Sequence, residues 1–148
     1  MLCVIYQIRQ IETDKRYVGS CKTLFMKRWS QHFQLLERGD HHSKRFQEEW
    51  NKTCNIAHWE FRVLHVEEVS TLREVNNIEA DFIIQVPEAL RLNMPNQTTT
   101  TRAKHHRVVE MLKQGKRFID IRDEVGISLG MISSIKRRFM DNSSMYSL

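Results

Sequence analysis

The sequence predicts an α+β protein: a small three-stranded antiparallel sheet flanked by helices, followed by an all-helical region. Three observations predict it. Strand-type and helical patterns follow the order β-β-α-α-β-α through the first 94 residues. A proline and a run of four threonines break the pattern at residues 95–101. Beyond the break, residues 102–148 carry three short amphipathic segments. A chain of 148 residues has room for one ordinary domain, or a small domain plus an appendage. The expected division is a domain at 1–94, a linker at 95–101 and a helical region at 102–148.

The first strand runs through Leu2-Cys3-Val4-Ile5-Tyr6-Gln7-Ile8, rich in β-branched and aromatic residues. A polar link, Glu12 to Lys15, leads to a second strand, Arg16 to Gly19, which makes a hairpin. Thr23 to Leu36 places Phe25, Trp29, Phe33 and Leu36 at helical spacing, and Gly39 reads as its stop. Ser43 to Lys52 is a shorter helix with Phe46 and Trp50 four apart. His58 to Val66 alternates Trp59, Phe61 and Val63 and reads as the third strand. Ser70 and Glu74 mark a helix start, with a stripe of Leu72, Val75, Ile78 and Phe82 and an end at Pro87. The threonine run has poor helix propensity, hence the linker. Arg102 to Gln114 then carries Val108, Met111 and Leu112. Phe118 to Val125 carries Phe118, Ile121 and Val125, and Ser128 to Phe139 carries Met131, Ile132, Ile135 and Phe139. Gly126 supplies a left-handed turn and Ser128 a cap. Two short helices joined so, the second ending in Lys136-Arg137-Arg138, have the pattern of a helix-turn-helix.

Hydrophobic residues make up 41% and charged residues 28%, the balance of a globular chain. No apolar stretch is long enough to span a bilayer, and no signal-peptide pattern is visible. Cys3, Cys21 and Cys54 are scattered and form no CxxC, which argues against a disulfide framework and a thiolate zinc site and for a reducing, cytosolic compartment. GxxxxGK, GxGxxG, HExxH and GxSxG are all missing, so a nucleotide-cradling loop is excluded. The net charge of +5 is localised. Residues 1–97 hold 13 Lys or Arg and 13 Asp or Glu, whereas residues 98–148 hold 10 and 5. A polyanion gripped mainly by the C-terminal part is the natural inference, a solvated basic tail the plain alternative.

Five residues form a chemical constellation. Tyr6 and Tyr17 lie on neighbouring strands, so their phenols can meet on one face. Arg28 and His32 are i and i+4 on one helix and share its side. Glu79 sits on the third helix beside its apolar stripe. Phosphodiester hydrolysis uses such groups: a carboxylate to hold a divalent cation, a guanidinium to neutralise charge building on phosphate, a phenolate to take a proton from water. Singly, each has a plainer reading, the tyrosines as strand packing, Arg28 and His32 as a polar helix face, Glu79 as a solvated charge. His41-His42 with Lys44-Arg45 reads equally as a DNA-backbone contact or a solvated loop. Trp29, Trp50 and Trp59 read as core.

Val4-Ile5-Tyr6, then Tyr17-Val18-Gly19, then Arg28, His32 and Glu79 in that order, resemble the GIY-YIG nuclease family. The stretch Tyr17-Val18-Gly19-Ser20 with Lys27-Arg28-Trp29 and His32 is most similar to the phage intron-type homing endonucleases, a group in which helix-turn-helix tails also occur. The resemblance covers about residues 2–94. Val4 stands where the signature has its first glycine, and Val18 where it has isoleucine. The resemblance implies a GIY-YIG type fold and a site-directed DNA endonuclease with one Mg²⁺ or Mn²⁺ per active site. Tyr6 would activate water, Tyr17 would position phosphate or share the proton, and Arg28 would stabilise charge. His32 would orient water or contact phosphate, and Glu79 would ligate the metal. Asn93 would support the metal site, and Ser20 either donates to phosphate or is a turn residue. Near-neutral activity would require the Tyr6 phenol to be lowered from about 10 by nearby positive charge, or to share its proton.

In the helical region, Ser133, Ser134 and Lys136 would face the major groove, with Arg137, Arg138, Lys104 and Arg107 on phosphates. A small helical bundle for protein contact is the alternative. The expected partner is double-stranded DNA, bound by a monomer or a transient dimer on DNA, with no membrane, in the cytoplasm (a host's, if phage-encoded). A homing endonuclease is favoured over a restriction-type enzyme or a catalytically inactive DNA-binding regulator.

Overall fold

Strand β1 (Leu2–Gln10) is the middle of an antiparallel sheet, flanked by β2 (Arg16–Cys21) and β3 (Trp59–Glu68). The computed structural model describes residues 1–23 and 25–140, and it divides into two compact units after Thr99. Leu24, the Phe25 side chain and residues 141–148, which the sequence places in a helix, a stripe and the helical region, lie outside the described residues.

The first unit follows the expected order. Helix α1 (Phe25–Arg38) and helix α2 (Lys44–Asn51) cover one sheet face, and α3 (Leu72–Gln85) covers the other. Alternation along the strands sorts the side chains. Tyr6, Ile8 and Tyr17 pack with Phe33, Leu36, Phe46 and Trp50. Cys3, Ile5 and Val18 pack with Val75, Ile83 and Val86. β1 is therefore apolar on both faces, as a central strand between two helical layers must be. The register against β3 shifts between Ile5, opposite His65, and Tyr6, opposite Val63, so Leu64 is an extra residue in a bulge. Gly39 ends α1 in a left-handed turn at φ +78°, with its amide on Leu36 and that of Asp40 on Leu35, the paired closure of a Schellman motif.

Two local expectations need correction in this unit. Thr71, not Ser70, caps α3, in a reciprocal box with Glu74. Leu72, placed on the inward stripe, is 52% exposed. The cap moves the helix start by one residue, so Val75, Ala80 and Ile83 are its buried positions.

The threonines expected in a linker are helical, because α4 runs Gln97–Lys113. Its cap explains why. The Asn96 side chain accepts from the Thr99 amide at 2.9 Å, which satisfies an orphan donor of the first turn and outweighs a few tenths of a kcal/mol of unfavourable threonine propensity per residue.

The second unit holds most of α4 with α5 (Phe118–Val125) and α6 (Leu129–Met140), packed around Val108, Met111, Ile121, Ile132 and Ile135. Gly126 takes the left-handed turn at φ +77°, and Ser128 Oγ accepts from Met131 N at 3.2 Å. Met131, assigned to the buried stripe of α6, is 45% exposed, and Phe139 is exposed too. Ile132 and Ile135 are the α6 residues buried in this core, because the turn after Gly126 sets the rotation of the helix.

The glycine of Tyr17-Val18-Gly19 is a matter of space. Gly19 lies opposite Tyr6, and a Cβ there would sit 2.5 Å from Cζ of the Tyr6 ring. Gly19→Ala should lower stability by about 1–3 kcal/mol, the cost of overpacking a rigid interior. Urea unfolding measures it, and an unchanged midpoint would show that the ring is free to move away.

Candidate active site

The site straddles β2. Tyr6 and Tyr17 point to the α1–α2 face, where Tyr6 stacks on Phe61 with centroids 5.3 Å apart and Tyr17 on Phe46 at 5.2 Å. Ser20, of opposite parity, faces α3, and its hydroxyl donates to Oε2 of Glu79. The groups on the two sides feel each other electrostatically. The Arg28 charge favours the ionised forms of Tyr6, Tyr17 and Glu79, and the Glu79 charge disfavours both phenolates. Arg28 Nη1 itself donates to Gln31 Oε1 at 3.3 Å. Tyr6, Tyr17, Arg28, His32, Glu79 and Ser20, scattered over 74 positions of sequence, thus form one cluster.

Burial dominates the titration. It pushes the Tyr6 phenol up to about 12, the Arg28 guanidinium offsetting only part. The Arg28 charge does favour the Tyr6 phenolate, but in the free protein burial outweighs it, because removing a phenolate from water costs more than one half-exposed guanidinium returns. Tyr17 is raised as well, first by burial and then by Tyr6. Glu79 is raised by burial against the Ser20 hydrogen bond and Arg28.

Histidines 32 and 41 are also shaped by burial. His32, 1% exposed, lies with Nε2 2.5 Å from Tyr6 Oη and Nδ1 2.8 Å from His41 Nε2. Both ring nitrogens are occupied, so the expected direct contact of His32 with water or phosphate is replaced by a contact with Tyr6. His41, read from sequence as a loop residue, is buried. His42 is exposed, with Nε2 2.9 Å from Tyr17 Oη. Each tyrosine thus has a histidine partner. Nothing in the local sequence distinguishes His41 from an exposed loop residue; the useful signal was its place between a glycine stop and a serine cap, which forces a tight return.

Asn93 braces β2. Its Oδ1 accepts from Val18 N at 2.9 Å and its Nδ2 donates to Val18 O at 2.7 Å. Its amide is committed to the backbone between Tyr17 and Gly19, so any support it lends to a metal passes through β2.

In the second unit Lys104, Arg137 and Arg138 are exposed. Arg107, expected on phosphate, is paired with Glu124 at 2.6 Å and Glu110 at 3.5 Å. Lys136, expected in the groove with Ser133 and Ser134, holds its ammonium 5.6 Å above the Phe118 ring. At 100° per residue it lies near the buried side of α6, whereas Arg137, three and four residues on from Ser134 and Ser133, shares their outer face.

A strand pair carrying two phenols, a helix carrying an arginine and a histidine, and a carboxylate from the opposite layer define a class, and the chain belongs to it: the GIY-YIG catalytic domain family matches residues 2–86. Among relatives, Intron-associated endonuclease 1 of Enterobacteria phage T4 is 41% identical over 81 residues, which cover 55% of this chain but 28% of that protein. The catalytic domain of homing endonuclease I-TevI aligns with a TM-score of 0.56 and 32% identity, over 64% of this chain and 99% of that one. A mutant of the same catalytic domain gives 0.56 and 31%, over 64% and 95%.

The buried histidines set an acid limit. Burial lowers His32 to about 3 and His41 to about 4, with neighbouring positive groups adding to it. Folded rings stay neutral while unfolded ones take up protons below about 6.5. Stability is therefore full above about pH 6.5 and falls as pH drops toward 4, by about 1.4 kcal/mol per pH unit for each ring. Urea midpoints at pH 7, 6 and 5 should decline; a flat series would contradict the buried, neutral rings.

Proposed function

We propose that the chain is a site-directed DNA endonuclease that hydrolyses phosphodiester bonds with one divalent metal, acting as a homing endonuclease. The observation that carries this reading is the convergence of Tyr6, Tyr17, Arg28 and Glu79 around β2 in a GIY-YIG domain. Enzymes of this family generally depend on a divalent metal.

The residues present fit such an ion. Glu79 is a half-buried carboxylate whose pKa is raised by burial beyond what Ser20 and Arg28 offset, and a cation beside it would reduce that penalty. Among the described residues no three His, Cys, Asp or Glu side chains are grouped to hold a metal. One carboxylate is still a sufficient protein donor set for Mg²⁺ or Mn²⁺, since such ions take their remaining ligands from water and substrate phosphate. The bound ion would neutralise charge building on the scissile phosphate.

The chain's own groups do the rest. Arg28 offers a fork of donors to the phosphate oxygens and, beside Tyr6, favours its phenolate. Tyr6 takes the proton of the attacking water, and Tyr17 orients phosphate. Ser20 holds the Glu79 carboxylate in one rotamer, and Asn93 holds the β2 backbone that carries Tyr17 and Ser20. The second unit supplies the excess positive charge and binds duplex DNA through α6, with Ser133, Ser134 and Arg137 toward base edges, and Arg138 and Lys104 on phosphates.

A plasmid-nicking assay with and without Mg²⁺ tests the activity. Glu79→Gln should abolish cleavage and leave DNA binding intact, because a neutral amide is a poor ligand for a hard cation. Arg28→Ala should cost about 10²- to 10³-fold in single-turnover rate, with Arg28→Lys a poor rescue. Metal-independent nicking, or near-native rates from both variants, would refute the assignment and favour an inactive DNA-binding regulator.

The reader assignment has its own measurement. Arg137→Ala should relax base preference at about one position and cost about 1–3 kcal/mol, whereas Arg138→Ala should weaken binding uniformly and lower the salt slope by about 1. Selection from a random duplex pool, followed by salt titration, separates the two. Unchanged site preference in Arg137→Ala would remove it from the groove.

A further inference from the structure

The hydrogen bonds behind Tyr6 have a direction, and a backbone amide sets it. The Ser43 N–H donates to Nδ1 of His41 at 3.0 Å. A backbone N–H can only donate, so that Nδ1 is a bare lone pair, and the neutral His41 ring carries its proton on Nε2. Nε2 of His41 lies 2.8 Å from Nδ1 of His32. One proton bridges them and His41 owns it, so Nδ1 of His32 is bare in turn and the His32 proton sits on Nε2. That nitrogen is 2.5 Å from Tyr6 Oη.

We propose that His41 is a positioning residue: anchored by the Ser43 amide, it fixes His32 as an N–H donor to the Tyr6 oxygen. The proposal rests on the endonuclease reading for its consequence in cleavage, but not for the proton positions themselves.

The base of the column cannot turn. Ser43 is 1% exposed, its hydroxyl donates to the Leu92 carbonyl, and it caps α2 by accepting from Phe46 N at 3.3 Å. The His41 amide donates to Gln47 Oε1 at 3.1 Å, and Gln47 Nε2 donates to Leu36 O at 2.9 Å. His41 is 7% exposed, so water has little access to exchange its partners. Burial favours the neutral rings that this scheme requires. The opposite polarity, with His32 accepting from the Tyr6 hydroxyl, would put protons on Nδ1 of both rings. It would then press the His41 Nδ1–H against the Ser43 N–H, two donors with no acceptor between them, in a buried site where an unmade hydrogen bond costs about 1–3 kcal/mol.

The consequence concerns where the Tyr6 proton goes. The phenol oxygen receives its donor from His32, so its own hydrogen points away from the histidines. In this polarity His32 has no free lone pair for the Tyr6 proton, and its own proton stays on Nε2. The histidines stabilise the phenolate as donors and are not its proton acceptor.

Long-range ¹H–¹⁵N spectra of the full-length ¹⁵N-labelled protein at neutral pH, without DNA or metal, report the tautomer of each ring. The expected result is an Nε2–H tautomer for both His32 and His41; His32 protonated on Nδ1 would overturn the proposal. In His41→Leu the His32 tautomer should become mixed, and single-turnover cleavage should fall about 10- to 100-fold, the scale for losing a partner that orients a functional histidine. His41→Gln, whose amide can accept from Ser43 and donate to His32, should keep the Nε2–H tautomer and recover most of the rate. A pure Nε2–H His32 in folded His41→Leu would remove His41 from the role. Should His41→Leu not fold, the wild-type and His41→Gln spectra decide the matter. If the protein cleaves no DNA, the spectra still decide the proton positions, so the two readings fail separately.

Discussion

The phenol of Tyr6 lies across Gly19, with its oxygen against His32, and the site depends on that contact. It joins three elements at once. β1 supplies the ring, β2 leaves out a side chain to admit it, and α1 brings the imidazole to its oxygen. The bulge at Leu64 falls beside Tyr6 on the other flank of β1, where the register against β3 changes. Because the interior is close-packed, none of these can shift alone. Val4, where the family signature has glycine, is accommodated because the space requirement lies at Gly19, opposite Tyr6.

The same burial that positions these groups disfavours their charged forms. Glu79 and both phenols are raised, and the two inner histidines are lowered. A folded domain that carries a desolvated carboxylate near a guanidinium, with a serine hydroxyl as the carboxylate's hydrogen-bond donor, gives up stability for a strong local field.

The two units divide the electrostatic work. The first is neutral by count, and some of its basic groups are committed internally, as with Lys15 and Lys52 on buried Glu49. The second carries the excess, and some of its cations already have partners within the unit. Arg107 is tied to Glu124, and Lys136 rests on Phe118. The outer face of α6, with Gly130, Ser133, Ser134 and Arg137, has small side chains and one long donor, which suits close approach to a groove.

The sequence by itself determined the element order, the hairpin, the glycine stops at Gly39 and Gly126, and the ordered motif Tyr6, Tyr17, Arg28, His32 and Glu79. These are legible because periodicity, turn chemistry and motif order are local or linear properties. Only the tertiary structure decided what those residues touch. His41 entered the site because the return between α1 and α2 folds under Tyr17, a contact with no periodic signature. Ser20 turned to Glu79 because strand parity sends it to the α3 face. The threonine run became helix because one asparagine cap outweighed its propensity. The Tyr6 pKa rose where charge alone would have lowered it, since desolvation depends on how completely a ring is enclosed, and enclosure is a property of packing.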